Sequence, residues 1–360
     1  MSKMERLPKV SVLMPVYNCA AYVLEAVQSI LDQTFTDFEL IVIDDVSTDG
    51  TLQLLRSVND PRIRLIEKEV NTGLTKSLNM AMELARGEYL ARMDGDDVSL
   101  PERFKLQVAF LDEHPEVLVV GGQCVILPTG KPLEKPVQHD DILVAMLESN
   151  AIVHPSTMMR RVLQDGSSFR YPEGMEPAED YLLWCRLITR GRFHNLPEPV
   201  LLYRHHPEQV SRNRKASKMR VRSKARLELW NGLFGHRFHN MGLFDLYWVQ
   251  ATGNDVVLSF LAAMNELGSI VQDPAPSGWS KDRVADVVER RRVKLIRQLV
   301  MVPGVHSFRT LMRCRPVWML IFKGLGTMQM FRFVAKCLIQ HRVYVQVYPP
   351  EMEQADRSVP

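Results

Sequence analysis

Short apolar, β-branched runs alternate with stretches of helical periodicity over the first 125 residues. The runs Val10–Met14, Glu39–Ile43, Ile63–Ile66, Tyr89–Met93 and Val117–Val120 predict five strands. Between them, Tyr22–Gln33, Thr51–Ser57, Leu74–Ala85 and Glu102–Glu113 repeat apolar residues at helical spacing; Leu74, Leu78, Ala81 and Met82 share one face. Pro101 stands where a first helical turn accepts proline. Such alternation predicts an open, mixed, mostly parallel sheet flanked by helices. Residues 126–150, rich in Pro, Lys and Asp, read as a loop crossing to the second half of the domain. His154–Arg161, Glu179–Thr189 and Val200–Arg204 then read as strand, helix and strand. Beyond about Arg212 a basic run leads into mainly helical sequence, with breaks at Asp273–Gly278 and Met301–Gly304. The division expected is a domain over residues 1–211, a helical basic region over 212–348 and a flexible tail over 349–360.

Charge sharpens that division. Residues 1–200 hold 20 Lys+Arg against 30 Asp+Glu, a net −10, and residues 201–360 hold 25 against 12, a net +13. The overall +3 therefore conceals an acidic half and a basic one, and the basic half attracts anions. The five cysteines never pair as CxxC, which argues against a zinc site or disulfide framework and fits a reducing compartment. No leader-like apolar stretch follows Lys3 and Arg6, and the longest candidate span, Val317–Gln340, is broken by Lys323, Arg332 and Lys336. A cytoplasmic protein is expected.

Ligands of open parallel sheets bind at the carboxyl ends of the strands, and here those ends are acidic. The second strand runs into Asp44-Asp45 and the fourth into Asp94-Gly95-Asp96-Asp97, while no GxGxxG or GK[ST] cradle is present. Carboxylates face a diphosphate only with a cation between them. Asp94 and Asp96, held on one tight turn by Gly95, suit Mg²⁺ or Mn²⁺, hard ions that take carboxylate and phosphate oxygens together. Taken singly, an Asp-rich turn is also simply a solvated loop, and Asp49 reads equally as a helix cap.

Six segments carry a resemblance: VSVLMPVYN (Val10–Asn18), QTFTDFELIVIDDVSTDGT (Gln33–Thr51), NTGLTKSLNMAM (Asn71–Met82), GEYLARMDGDDVSLPERF (Gly87–Phe104), HPSTMMRR (His154–Arg161) and EDYLLWCRL (Glu179–Leu187). As an ordered set over about the first 210 residues, the sequence resembles family 2 of the inverting glycosyltransferases with the GT-A fold. The resemblance implies a metal-dependent transferase of hexosyltransferase type, using a nucleotide diphosphate sugar, a UDP-sugar by preference, and Mn²⁺ or Mg²⁺. Pro15, Tyr17 and Asn18 would shape the nucleotide pocket. Asp45, or alternatively Asp44, would accept a hydrogen bond from the base, and Lys76 and Arg92 would approach the donor. Asp94 and Asp96 would hold ribose and metal, with Asp97 orienting the sugar and Gly95 setting the turn. Asp180, from the Glu179-Asp180 pair at a helix start, would be the base that deprotonates the acceptor hydroxyl. A single displacement at the anomeric carbon inverts it. His154, Glu179, Arg160, Arg161, Arg204 and His205, with Tyr203 and His206, are candidates for the acceptor and diphosphate side. Arg103 would pair with a carboxylate. The QxxRW signature of processive members is absent, which implies one sugar per encounter.

The tail carries two basic stretches, Arg212–Arg226 and Arg290–Arg297, and an aromatic and aliphatic set at Trp318, Leu320, Ile321, Phe322, Met330, Phe331 and Phe333. A solvated helix face and docking on the anionic inner face of the cytoplasmic membrane both fit. The second reading would bring the enzyme to a saccharide or polyprenyl-diphosphate-linked acceptor, as in surface polysaccharide synthesis. A catalytically silent nucleotide-binding scaffold and a sugar-nucleotide pyrophosphorylase are the competing functions; the tail's Arg clusters lack the motif context of nucleic-acid binding.

Overall fold

The computed structural model describes residues 7–205, 215–235, 238, 253–276 and 278–301. The chain forms two compact units, Met1–Arg222 and Ser223–Pro360. Nine strands of the first unit make one sheet: β1 Val10–Val16, β2 Phe38–Asp44, β3 Ile63–Glu67, β4 Tyr89–Arg92, β5 Val98–Ser99, β6 Val117–Leu127, β7 Lys131–Leu133, β8 Met158–Arg160 and β9 Arg192–Arg204. Their order is β3-β2-β1-β4-β8-β6-β9-β5, with β7 paired to β6. Strands β3, β2, β1 and β4 are mutually parallel, as is β6 with β9; β8 runs antiparallel between the two groups. The sheet is therefore mixed and mostly parallel.

Its first half follows from the apolar runs. Every residue of β1 and of β2 is buried, as expected for strands covered on both faces. Helix α1 (Val23–Leu31) buries Val23, Ala26, Val27 and Ile30; α2 (Thr51–Ser57) buries Thr51 and Leu55; α3 (Leu74–Leu84) buries Leu78 and Ala81; and α4 (Arg103–Glu113) buries Phe104, Val108 and Leu111. Pro101 precedes the Glu102 cap of α4 and lies outside the helix, in the turn that Arg103 N closes by donating to Leu100 O (3.1 Å). Gln33 joins three elements: its amide nitrogen donates to Ser29 O (3.0 Å), Ser99 Oγ (3.1 Å) and Leu100 O (2.8 Å), and its Oε1 accepts from Phe104 N (3.0 Å).

The second half corrects two expectations. Residues 126–150 are not a loop: β6 runs on to Leu127, β7 returns along it, and α5 (His139–Met146) buries Ile142, Leu143 and Met146. The supposed strand from His154 splits into a single 3-10 turn, His154–Ser156, followed by β8. Pro155 at the turn's second position, which cannot donate to a strand partner, accounts for the split. Helix α6 (Glu179–Leu187) packs Trp184 at a ring distance of 6.0 Å from Phe193 of β9.

Among the described residues beyond the first domain, three helices occur, α7 (Lys215–Phe234), α8 (Gly253–Ile270) and α9 (Lys281–Met301). In the second unit Trp230 packs on Phe234 and Phe238, and the buried residues of α8 and α9, among them Phe260, Leu267, Val288 and Leu295, form a small core. The basic run of α9 is not one solvated face: Arg291 is buried, while Arg290 and Arg292 pair with Asp286 and Glu289. Arg212, Arg214, the aromatic set from Trp318 to Phe333 and the terminal tail lie outside the described residues. No helix among the described residues is long and apolar enough to cross a membrane.

Gly87 marks the tightest backbone approach in the sheet. A Cβ there would lie 2.5 Å from Ser11 N and 2.8 Å from Val10 C, and its own N–H donates to Ser11 Oγ at 2.8 Å. Neither obstacle is a side chain that can swing aside. Gly87→Ala is expected to lower unfolding free energy by ~1–3 kcal/mol, measured as a reduced urea midpoint at unchanged m-value.

Candidate active site

Strands β3, β2 and β1 end level with one another, Glu67 opposite Asp44 and Asp44 opposite Val16. The loops that leave them form one edge of the site, and the turn after β4 forms the floor. Pro15 is buried in β1 opposite Ile43, Tyr17 is 51% exposed, and Asn18, at φ +50°, ties the first loop to the second. Its N–H donates to Ser47 Oγ (3.1 Å), and its Oδ1 accepts from Thr48 N (2.8 Å). Lys76 is exposed on the first turn of α3.

Asp44 and Asp45 point to different partners. Asp44 is buried; Oδ2 accepts from Ser47 N (3.1 Å) and Oδ1 has no hydrogen-bond partner. Asp45 is equally buried, and its carboxylate receives the Lys68 ammonium, Thr72 N (3.0 Å) and Gly73 N (2.8 Å). Lys68 also donates to Ser77 Oγ at 3.1 Å, and Asn71 Nδ2 donates to Asp45 O at 2.8 Å, so the third loop is fastened to the second. Lys68 was not expected from the sequence; it lies outside the resembling segments.

The turn Asp94-Gly95-Asp96-Asp97 passes from β4 to β5 beneath the first loop. A Cβ on Gly95 would stand 2.8 Å from Cys19 Sγ and 3.0 Å from Val16 Cγ1, so only glycine lets the turn lie this close to β1. Oxygens of Asp94, Asp96 and Asp97 lie within 4.8 Å of one another. Arg92, itself buried, pairs with Asp94, and its Nε has no hydrogen-bond partner. Burial raises the Asp94 carboxyl above the ordinary carboxylate range against the opposing charge of Arg92. Burial, then the Asp94 and Asp96 charges, push Asp97 much further up. Asp97 Oδ1 accepts from Arg204 N at 2.8 Å, whereas its buried Oδ2 has no partner. Crowded carboxylates with an unsatisfied buried oxygen are the donor set a divalent oxygen-loving cation requires.

Two arginines fix this turn. Arg103 is buried, with Nη2 donating to Arg92 O (2.8 Å) and Thr157 O (3.1 Å), and Nε to Gln107 Oε1 (3.1 Å). It meets carbonyls and an amide in place of the expected carboxylate, and burial lowers it to about 10. Arg204 Nε donates to Asp96 O (2.7 Å), Nη2 pairs with Glu25 (2.6 Å), and the guanidinium lies over Tyr22 at 4.8 Å. It thus joins the turn to the start of α1. His205 is exposed, its ring edge-on to Tyr203, and His206 lies outside the described residues.

Asp180 opens α6 half-buried and within electrostatic reach of Asp94. Asn150 Nδ2 donates to its Oδ2 at 2.7 Å, a contact that sequence reading missed because Asn150 sat in the presumed loop. Glu179 is buried beside it, with Oε2 unpartnered; burial, then the Asp180 charge, push it up to about 8. His154 is also buried, its Nε2 2.7 Å from Tyr171 Oη and its ring edge-on to Trp184. Burial and then Arg92 hold it well below the ordinary histidine value, so it is a neutral wall of the site. Arg160 and Arg161 are elsewhere: Arg160 pairs in register with Tyr89, at the start of β4 and away from the acidic turn, and donates to Val117 O and His114 O. Arg161 donates to Gly87 O, again at the amino end of β4. Neither lines the acidic site.

A mixed, mostly parallel sheet whose carboxyl edge presents this turn is the arrangement of the GT-A glycosyltransferases. The S. aureus TarS fragment 1–349, solved in complex with UDP-GlcNAc, shares the fold with a TM-score of 0.54 at 19% identity, over 88% of this chain and 89% of that one. Residues 11–168 match the family described as Glycosyl transferase family 2. An uncharacterized glycosyltransferase of Haemophilus influenzae is 34% identical over 222 residues, 58% of this chain and 69% of that protein. TuaG of Bacillus subtilis, named for teichuronic acid biosynthesis, is 31% identical over 221 residues, 59% of this chain and 85% of TuaG. The chain belongs to glycosyltransferase family 2.

The raised Glu179 carboxyl has a measurable sign. In the folded protein it keeps its proton where the unfolded chain, at the ordinary 4.5, has released it. Its contribution is therefore full below that value, declines as pH rises, and is gone above about 8. Glu179→Gln is expected to remove a fall in stability of up to ~1.4 kcal/mol per pH unit, read from urea unfolding of the metal-free protein at a series of pH values.

Proposed function

We propose that this chain is a metal-dependent, inverting, non-processive transferase that moves a sugar from a nucleotide diphosphate donor to an acceptor hydroxyl. The observation that carries this reading is the convergence of Asp94, Asp96 and Asp97 on one volume, with Asp180 close enough for its charge to act on Asp94. Asp94 and Asp96 would hold Mn²⁺ or Mg²⁺, which when bound supplies positive charge to the departing diphosphate. Pro15, Tyr17, Asn18 and the Asp44-Asp45 strand end would bind the nucleotide, Lys76 and Arg92 the donor, and Asp97 the sugar. The UDP-GlcNAc complex of TarS makes a UDP-sugar the first donor to test. TuaG's name supports a growing surface polysaccharide, or a lipid-linked precursor of one, as acceptor. Such an acceptor would place the enzyme at the cytoplasmic face of the membrane.

In this mechanism Asp180 accepts the proton of the acceptor hydroxyl on a carboxylate oxygen. The hydroxyl oxygen then forms its bond to the anomeric carbon as the bond from that carbon to the diphosphate oxygen breaks, and the electron pair leaves with the diphosphate. Attack from the face opposite the leaving group inverts the centre. Asn150 donates to Oδ2 (2.7 Å) and Tyr181 N–H to Oδ1 (2.7 Å), and together they fix the rotamer of the base. Glu179, kept neutral by burial at pH 7, adds no second full charge beside it.

Release of nucleoside diphosphate from UDP- and GDP-sugars tests the proposal. Turnover is expected to stop in excess chelator and return with Mn²⁺ or Mg²⁺. Asp180→Asn is expected to lower kcat by ~10²–10⁴-fold while donor binding, measured by calorimetry, is retained. Full turnover of that variant, or of the chelated enzyme, would remove the basis of the mechanism.

A further inference from the structure

The excursion that runs from β7 through α5 ends beside Asp180, and both of its ends are held to the sheet. Gln123 of β6 clamps the backbone of Lys135: its Oε1 accepts from Lys135 N (2.7 Å), and its Nε2 donates to Lys135 O (3.1 Å). Buried Asn195 of β9 spans the two ends, with Nδ2 donating to Pro136 O (2.7 Å) and Ala151 O (3.2 Å). Tyr181 Oη donates to Met146 O, which ties the end of α5 to α6 as well. Inside this frame the Lys135 ammonium donates to Asn150 O at 3.2 Å. Burial holds that ammonium below the ordinary lysine range, so the fold keeps a charge there against its desolvation. The Asn150 side chain has one orientation. Its Oδ1 accepts from Ile152 N (3.1 Å), which leaves the amide nitrogen to face Asp180 Oδ2 (2.7 Å). Tyr181 N holds the other carboxylate oxygen from within α6, whereas Asn150 reaches Asp180 from a different element.

We propose that Lys135 and Asn150 are positioning residues for the transfer reaction: the ammonium fixes the backbone of Asn150, and the amide then holds the Asp180 carboxylate in one orientation. The inference rests on the transferase reading above and extends it to two residues of the excursion. A carboxylate free to turn presents its oxygen to the acceptor hydroxyl for only part of the time, so the chemical step slows while donor binding does not change. The charges of Asp94 and Glu179 also act in this region, so a third carboxylate in place of the Asn150 amide would add repulsion where the amide supplies a donor. Lys135 donates to Asn150, and its effect on the base passes through that residue.

The test is release of nucleoside diphosphate from UDP-GlcNAc, UDP-glucose and GDP-mannose by the full chain with Mn²⁺ at about pH 8, where carboxylates ionise. Calorimetry follows donor binding and urea midpoints follow folding. On the sugar nucleotide that wild type turns over fastest, Asn150→Ala is expected to lower kcat by about 10-fold and Lys135→Met by about 5-fold, with donor Kd within twofold of wild type. Asn150→Asp, the closer match in size, is expected to be the worse substitution, at about 100-fold below wild type; an asparagine that only fills space gives the opposite order. The double variant Lys135→Met/Asn150→Ala is expected to match Asn150→Ala within about twofold, as two residues acting through one contact must. Unchanged kcat in Asn150→Ala overturns the proposal, as does an Asn150→Asp variant faster than Asn150→Ala, or donor binding lost in step with kcat. Multiplied losses in the double variant overturn the role of Lys135. Failure of the wild-type chain to release nucleotide from any of the three donors would instead overturn the transferase reading itself.

Discussion

Crowding of like charge at the end of β4 is the constraint around which the domain is arranged. Three carboxylates converge within a few ångströms at the carboxyl edge of an apolar sheet, and only Arg92 offers an opposite charge from within the same strand. Burial and mutual repulsion push Asp94 and Asp97 toward the protonated form, so the unliganded turn is electrostatically unsatisfied. The scaffold must keep it from relaxing. Gly95 lets it lie against Cys19 and Val16, Arg103 ties the strand end to Thr157, and Arg204 secures Asp96 and Asp97 from the far strand. The turn is thereby a preformed set of oxygens, as the proposed cation would need.

The ends of β2 and β3 are built on a different principle. There the Asp45 carboxylate accepts from an ammonium and two backbone amides. On that edge Asp45 fastens one loop to the next, while Asp44 Oδ1 and, at the neighbouring strand end, Asp97 Oδ2 have no hydrogen-bond partner. Residues of one chemical type, at the ends of two strands of one sheet, are separated in role by the partners the fold supplies.

Much of the first half was legible from residue pattern alone, because parallel strands buried on both faces are written as uninterrupted apolar runs. Val10–Val16 and Phe38–Asp44 leave little alternative. The region after Leu127 was misread because Pro and charged residues dominate its composition. Ile142, Leu143 and Met146 nevertheless carry helical spacing there, behind Asp140 and Asp141 in the first turn, and the helix was recoverable from them. Acidic site residues were visible as types at strand ends. Their partners were not: Lys68 and Asn150 meet Asp45 and Asp180 through tertiary packing, and no local spacing announces a contact 23 or 30 residues away. Arg160 and Arg161 show the converse error, in which chemically capable side chains are absorbed into backbone contacts at the amino end of β4.

The span from Asp97 to Arg204, 107 residues, also sets an order of events during synthesis. Strand β9 emerges from the ribosome long after the acidic turn, and until it docks, the turn lacks the hydrogen bonds that secure Asp96 and Asp97. A nascent chain halted between Asp97 and Arg204 would carry all three carboxylates of the turn and lack the hydrogen bonds that secure them. The arrangement of the acidic turn is therefore a report on the docking of the last strand, and contacts of this sequence separation are the kind that form slowly.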